Sequence, residues 1–256
     1  MINIEELKKY YPRLDGFDRS ILREYLQYKI LDIIFKSEVG RKLSFLGGTA
    51  IKICYGSTRF SEDLDFDNFE LNIEEFENLS SVIKKELSYE GYEVETRNVF
   101  KGAFRCYIKI PQVLHENNLS EFANEKILIN VDTAPHGFKY EPKNFLLQKF
   151  DVFRNIKITS ADIILSQKVA AILGRKRAKG RDFFDMVYLM GFADFNFEYL
   201  KLKLEIKNKT DLKEKLLNFT ADMDMQDLTR DVLPFLIKPD DQARVLNFRQ
   251  YIDQKL

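Results

Sequence analysis

Asp63 and Asp65 stand two residues apart, a short way after a Gly47-Gly48 pair. On a strand that spacing sends both carboxylates to one face while Leu64 and Phe66 point into a core. Gly47-Gly48 follows the mostly apolar stretch Leu43 to Leu46 and precedes an expected short helix, Thr49 to Tyr55. A tight turn there presents helix N-terminal amides to an anion. Two hard oxygen ligands beside an anion cradle suit a nucleoside triphosphate with magnesium, which takes one or two carboxylates plus phosphate oxygens. Each half alone is ordinary, since Gly-Gly pairs are common in turns and Asp-x-Asp on exposed strand ends. Their order, with Tyr55-Gly56 and Arg59-x-Ser61 between them, singles the segment out.

The elements that must carry these residues can be read from periodicity. Asp18-Arg19-Ser20 is positioned to cap a helix through Ile21, Leu22, Tyr25, Leu26, Ile30, Ile33 and Ile34. Leu43 to Leu46 and Leu64 to Phe66 read as short buried strands around the turn. Asn72 to Glu90 reads as an amphipathic helix stopped by Gly91. Tyr92 to Val99, Ala103 to Ile110 and Lys126 to Asp132 read as strands of a mixed sheet whose last member ends before Pro135. From Ser160 the pattern is helical, with a helix carrying Lys168, a break at Gly180 and a second helix from Arg181 to Met190. Glu198 to Lys207, Leu212 to Phe219, Gln226 to Ile237 and Asp240 to Tyr251 read as further helices. The expected class is α+β, with residues 1–158 an N-terminal helix plus a mixed-sheet core and residues 159–256 a helical region.

Here the residues carry a resemblance. Gly47-Gly48-Thr49-Ala50, Tyr55-Gly56, Arg59-x-Ser61 and Asp63-Leu64-Asp65-Phe66 resemble the first signature of the AbiEii toxin family, MenT-like nucleotidyltransferases of the DNA polymerase beta type. Lys168, Ala171 and Arg175, then Arg181-Asp182 and Asp185, resemble that family's Lys-x-x-Ala-x-x-x-Arg helix and its Arg-Asp-x-x-Asp block. The two blocks span about Leu43 to Leu189. The resemblance implies a polymerase-beta-type core and a toxin of a type IV toxin-antitoxin or abortive-infection system. It implies transfer of a nucleotide from a nucleoside triphosphate to RNA such as tRNA, with magnesium or manganese and a cognate antitoxin as partner. Gly47, Gly48, Thr49, Arg59, Ser61, Lys168 and Arg175 are then expected to border the nucleotide, and Asp63 and Asp65 to hold the metal.

Several assignments keep two readings. Asp132 ends the alternating strand Ile127 to Val131 and, on the resemblance, is a third carboxylate for metal and acceptor hydroxyl; before Thr133-Ala134-Pro135 it is equally ordinary turn chemistry. Asp67 shares the parity of Asp63 and Asp65, but its place at the strand exit favours a turn role. Lys168 is a candidate triphosphate contact and catalytic residue, with Arg175 on the same helix face. Arg181, Asp182 and Asp185 form a polar set at a helix start, able to cap amides or to pair with Arg175 and Arg181. Arg59 borders the nucleotide or pairs with Asp63. The run Arg175 to Arg181 is the densest positive stretch, an RNA contact or a solvated helix end.

Composition narrows the alternatives. The 256 residues are 45% hydrophobic and carry 40 basic against 40 acidic side chains, so any RNA contact must use a local patch. No apolar run approaches the ~20 residues a spanning helix needs, and no basic-then-apolar leader is evident, which makes the cytoplasm the expected location. Cys54 and Cys106 with His115 and His136 make a poor zinc set. Two rivals use the same core: a small-molecule nucleotidyltransferase of the aminoglycoside-modifying kind, and a nucleotide- or antitoxin-binding module with little turnover.

Overall fold

The computed structural model describes residues 3–12 and 14–256. The chain divides into two units, Met1–Ala50 with Ser61–Thr159, and Ile51–Phe60 with Ser160–Leu256. The segment Ile51–Phe60 therefore goes with the second unit, where a linear partition of the sequence assigns it to the first.

In the first unit seven strands form one sheet: β1 (Leu43–Leu46), β2 (Leu64–Asn68), β3 (Glu95–Phe100), β4 (Phe104–Pro111), β5 (Lys126–Ala134), β6 (Lys143–Lys149) and β7 (Val152–Ile158). Their order is β3-β4-β5-β2-β1-β7-β6. The pairs β2·β5 and β1·β7 are parallel and the others antiparallel, so the sheet is mixed. Burial alternates along β5: Ile127, Ile129, Val131 and Thr133 are buried, while Lys126, Leu128, Asn130, Asp132 and Ala134 lie on the more open face. The buried face carries Phe45 and Phe66, whose ring centroids are 5.4 Å apart. Helices Asp18–Lys36 and Ile73–Tyr89 belong to the same unit and bury Leu22, Leu26, Ile30, Leu79 and Ile83.

Local chemistry explains most of these boundaries. Asn72 accepts from the Glu75 amide at 2.9 Å and its own amide donates to the Glu75 carboxylate at 3.0 Å, a reciprocal cap that starts Ile73–Tyr89. The helix Asp18–Lys36 begins without the side-chain cap expected of Asp18-Arg19-Ser20, its N-cap being Phe17. The expected end of the sheet before Pro135 is corrected by the hairpin β6–β7. Its turn places Phe150 at φ 56° without Gly or Asn, so no turn signature marks it. Three tyrosine rings, Tyr10, Tyr25 and Tyr28, meet the Phe150 ring edge-on at 4.8 to 5.4 Å and hold that conformation from outside.

The second unit is helical: Ala161–Gly174, Gly180–Leu189, Phe197–Leu204, Lys209–Thr220, Met225–Val232 and Phe248–Lys255, with shorter turns between them. Gly180 starts a helix instead of breaking one. A Cβ there would lie 2.8 Å from the carbonyl carbon of Leu228 and closer still to its oxygen, so only glycine lets these backbones meet. The continuous helix expected over Gln226 to Ile237 stops at Val232, where Pro234 sits in a 3-10 turn, and Asp240 to Tyr251 is three short pieces. Segment Ile51–Phe60 is tied into this unit by Phe60 N–H to Phe235 O at 2.8 Å and by the Tyr188 hydroxyl to Tyr55 O at 2.7 Å. Among the described residues no helix is long and apolar enough to cross a membrane.

Candidate active site

Strand register lays the polar residues of the first unit out as rows on the open face of the sheet. Asp65 on β2 is the register partner of both Leu46 on β1 and Asp132 on β5, and Arg105 of β4 continues the row. Leu64 pairs with Val131, so Asp63 enters β2 opposite Asn130, which pairs in turn with Tyr107. Asp63 and Asp65 thus share one face, as their spacing requires, while Leu64 and Phe66 are buried on the other.

Each carboxylate is set by a neighbour. Asn130 donates from Nδ2 to Asp63 Oδ1 at 2.8 Å. Thr49 Oγ1 donates to the Asp63 carbonyl, tying the first turn of the helix Gly47–Tyr55 to the loop that delivers the acid. Gln27, 1% exposed, donates to the carbonyls of Ser61 and Glu62 at 3.1 and 2.9 Å and pins the same loop. Gly47 has φ +79°, and a Cβ on it would fall on the Asp65 carboxylate, 2.9 Å from both Cβ and Cγ of that residue. Glycine here serves conformation and clearance at once: Asp65 reaches over the turn only because nothing is attached to Gly47. Gly48 is buried as the second residue of the helix. The result is a helix N-terminus and two partly open carboxylates within one unit.

These residues fit a divalent metal held by two carboxylates with the remaining positions left to triphosphate oxygens. The expected third ligand, Asp132, stands beside a cation. Asp132 reaches the right face, but its Oδ1 accepts from Arg105 Nε at 2.7 Å. Among the described residues no three His, Cys, Asp or Glu side chains group so as to hold a metal ion. Asp132 and Tyr107 together hold the Arg105 guanidinium above its ordinary range. Asp67, read as a turn residue, accepts from the amides of Asn68 and His136 at 2.9 Å each.

The polar residues of the second unit form an interior cluster of their own charges. Arg59, 2% exposed, binds Asp185 through Nε at 2.7 Å and Nη2 at 2.5 Å and donates to the Phe60 carbonyl at 2.9 Å. Arg59, expected at the nucleotide or beside Asp63, makes this bidentate pair with a fully buried acid. Lys168, expected at the triphosphate, bridges Asp185 at 2.8 Å and Asp182 at 3.0 Å with its side chain 12% exposed. Arg175 reaches Asp182 at 3.3 Å, and the Arg181 guanidinium lies 4.7 Å from the Phe235 ring centre. Burial pulls the Lys168 ammonium down, but Asp185 and Asp182 outweigh it and hold it above the usual lysine range. Burial likewise pushes Asp185 up, and Arg59 and Lys168 reverse the sign, leaving it below the usual carboxylate range. Asp182 and Asp185 are therefore partners of cations. In the basic run, Arg177 and Lys179 line a cavity of about 420 Å³ together with Asp224, Asp227 and Asp231.

Nothing in the local sequence marks Gln27 or Arg105 as part of a site. Parity along Ile127 to Val131 puts Asn130 on the face of Asp132, but the strand neighbours that make it matter are set by register.

Comparison with known proteins bears on the whole chain. The family model described as "Nucleotidyl transferase AbiEii toxin, Type IV TA system" matches residues 29–254. Among solved structures, MenT4, a nucleotidyltransferase toxin from Mycobacterium tuberculosis H37Rv, superposes with a TM-score of 0.64 at 14% identity, covering 99% of this chain and 90% of that one. JHP933 from Helicobacter pylori gives 0.55 at 19% identity with 93% of each chain covered. A putative nucleotidyltransferase from H. pylori gives 0.54 at 19% identity, covering 93% of this chain and 96% of that one. At these identities the likeness is one of fold. No curated protein matches the chain.

Proposed function

The chain belongs to the AbiEii nucleotidyl transferase toxin family, and on that premise we propose that it transfers a nucleoside monophosphate from a nucleoside triphosphate to an RNA acceptor such as tRNA. A divalent ion, magnesium or manganese, is held by Asp63 and Asp65. The observation that carries this reading is the fit between Gly47 and Asp65: a positive-φ glycine whose missing Cβ is the space the carboxylate occupies, at the mouth of a helix N-terminus. A surface acid of no function needs no such clearance.

Phosphoryl-group chemistry asks the protein mainly for positioning and charge neutralisation. The amides of Gly47 to Thr49 face the phosphates, Asn130 fixes the orientation of Asp63, and Gln27 and Thr49 hold the loop that carries it. The bound metal supplies Lewis-acid polarisation of the phosphate oxygens. The family description, a toxin of a Type IV TA system, supports a cognate antitoxin as partner. Total cellular RNA incubated with each labelled nucleoside triphosphate, with and without magnesium, tests the proposal. Labelled RNA that depends on magnesium, Asp63 and Asp65 is expected; a label on protein or small molecule only, or none, refutes the RNA acceptor.

A further inference from the structure

We propose that Arg105 stands in for a second metal ion, so that this site transfers nucleotides with one metal on Asp63 and Asp65 and a guanidinium beside Asp132. The inference rests on the nucleotidyl-transfer reading of Asp63 and Asp65. Two-metal sites set their ions about 3.5–4 Å apart around a symmetric clamp on the attacking and leaving oxygens. The second ion needs a further carboxylate on the same face, and Asp132, in register with Asp65, is the residue in that place. Its Oδ1 is already on Arg105 Nε at 2.7 Å.

The pair is built into the sheet. Arg105 and Asp132 are direct cross-strand partners, so no backbone change is needed to keep them together. The guanidinium also lies 5.9 Å from the centre of the Tyr107 ring, which belongs to the neighbouring row and limits where the fork can swing. Asp132 is 22% exposed and Arg105 43%, which leaves the acid sheltered and the outer part of the guanidinium open on the face that carries Asp63 and Asp65. A planar fork with one N–H on a carboxylate keeps donors for phosphate oxygens, which arginine reads in bidentate fashion. A metal ion at Asp132 would have to displace or crowd this fixed cation.

In the transfer step the acceptor hydroxyl oxygen bonds to the α-phosphorus as the bond from that phosphorus to the bridging oxygen breaks. The electron pair leaves with pyrophosphate, and the hydroxyl proton passes to water. Arg105 neutralises charge that grows on the non-bridging oxygens and does not exchange protons.

The test counts ions. Full-length protein with α,β-methylene nucleoside triphosphates is titrated with Mn2+ and bound metal is read by electron paramagnetic resonance, alongside turnover with the hydrolysable triphosphate. The wild type is expected to bind one Mn2+ per chain in the presence of nucleotide, and Asp132→Asn also one, whereas Asp63→Asn and Asp65→Asn lose it. Arg105→Ala and Arg105→Gln, checked by thermal melts, are expected to lose turnover by at least about a hundredfold, with partial recovery in Arg105→Lys. Two ions in the wild type, a lost ion in Asp132→Asn, or Arg105→Ala within tenfold of wild-type turnover would each overturn the proposal while leaving the metal assignment of Asp63 and Asp65 standing. A wild type that takes up no nucleotide-dependent Mn2+ would overturn both.

Discussion

Lys168→Met and Asp185→Asn perturb the same interior cluster and should differ in a way that its charges dictate. Three cations, Arg59, Lys168 and Arg175, face two anions, Asp182 and Asp185. Removing the Lys168 ammonium leaves Asp185 with both bonds to Arg59, and Asp182 with Arg175, a balanced set. The loss is that of charged hydrogen bonds, about 1.5–3 kcal/mol. Asp185→Asn instead leaves Arg59, 2% exposed, and Lys168 without their shared counter-charge. Orphaning a buried charge costs about 3–5 kcal/mol, a large part of the ~5–15 kcal/mol that holds a domain folded. At roughly 2–4 °C per kcal/mol, melting points should fall by about 3–12 °C for Lys168→Met and about 6–20 °C for Asp185→Asn. Scanning fluorimetry and urea melts measure this, with nucleotide titration in parallel. The cluster also sets a pH window. The depressed Asp185 contributes stability above its unfolded pKa near ~3.9 and loses it as pH falls through the folded value; the elevated Lys168 contributes below ~10.4 and loses it as pH rises through the folded value. Stability should be flat through neutrality and fall at both ends, with the alkaline arm reduced in Lys168→Met. A Lys168→Met protein that melts like wild type yet binds triphosphate tenfold more weakly would refute this reasoning and return Lys168 to the ligand.

Asp63→Asn or Asp65→Asn should abolish nucleotidyl transfer and any growth inhibition with an unchanged melt; activity within about tenfold of wild type, ~1.4 kcal/mol of barrier, would remove the metal assignment. Gly47→Ala should cost about 1–3 kcal/mol from its φ of +79° alone and displace Asp65, so Mn2+ affinity should fall further than Tm; retained metal binding would show that Asp65 is not seated by this clearance. Neutralising Lys176, Arg177 and Lys179 together should weaken RNA binding and flatten its salt dependence without touching nucleotide affinity. Because Asp224, Asp227 and Asp231 share a cavity with Arg177 and Lys179, the slope should change by fewer than three charges, and an unaltered slope would take the run out of the RNA path.

The shared face of Asp63 and Asp65 is legible from spacing alone, because side-chain alternation on a strand is a local property and a glycine pair before a helix admits few conformations. The helices and most strands were legible for the same reason, since each repeats its burial pattern over several residues. What the sequence left open depended on residues far apart in the chain. The hairpin β6–β7 turns on a phenylalanine whose backbone is stabilised by tyrosines more than a hundred residues away. Register sets Arg105 opposite Asp132, and the charge partners of Lys168 and Arg59, the acids Asp182 and Asp185, are brought to them by folding and not by spacing. A side chain's face is fixed by its immediate neighbours along the chain, but the charge it meets on that face is chosen by strand order and helix packing, and so only the tertiary structure decides whether a lysine, an arginine or an aspartate remains available to a substrate.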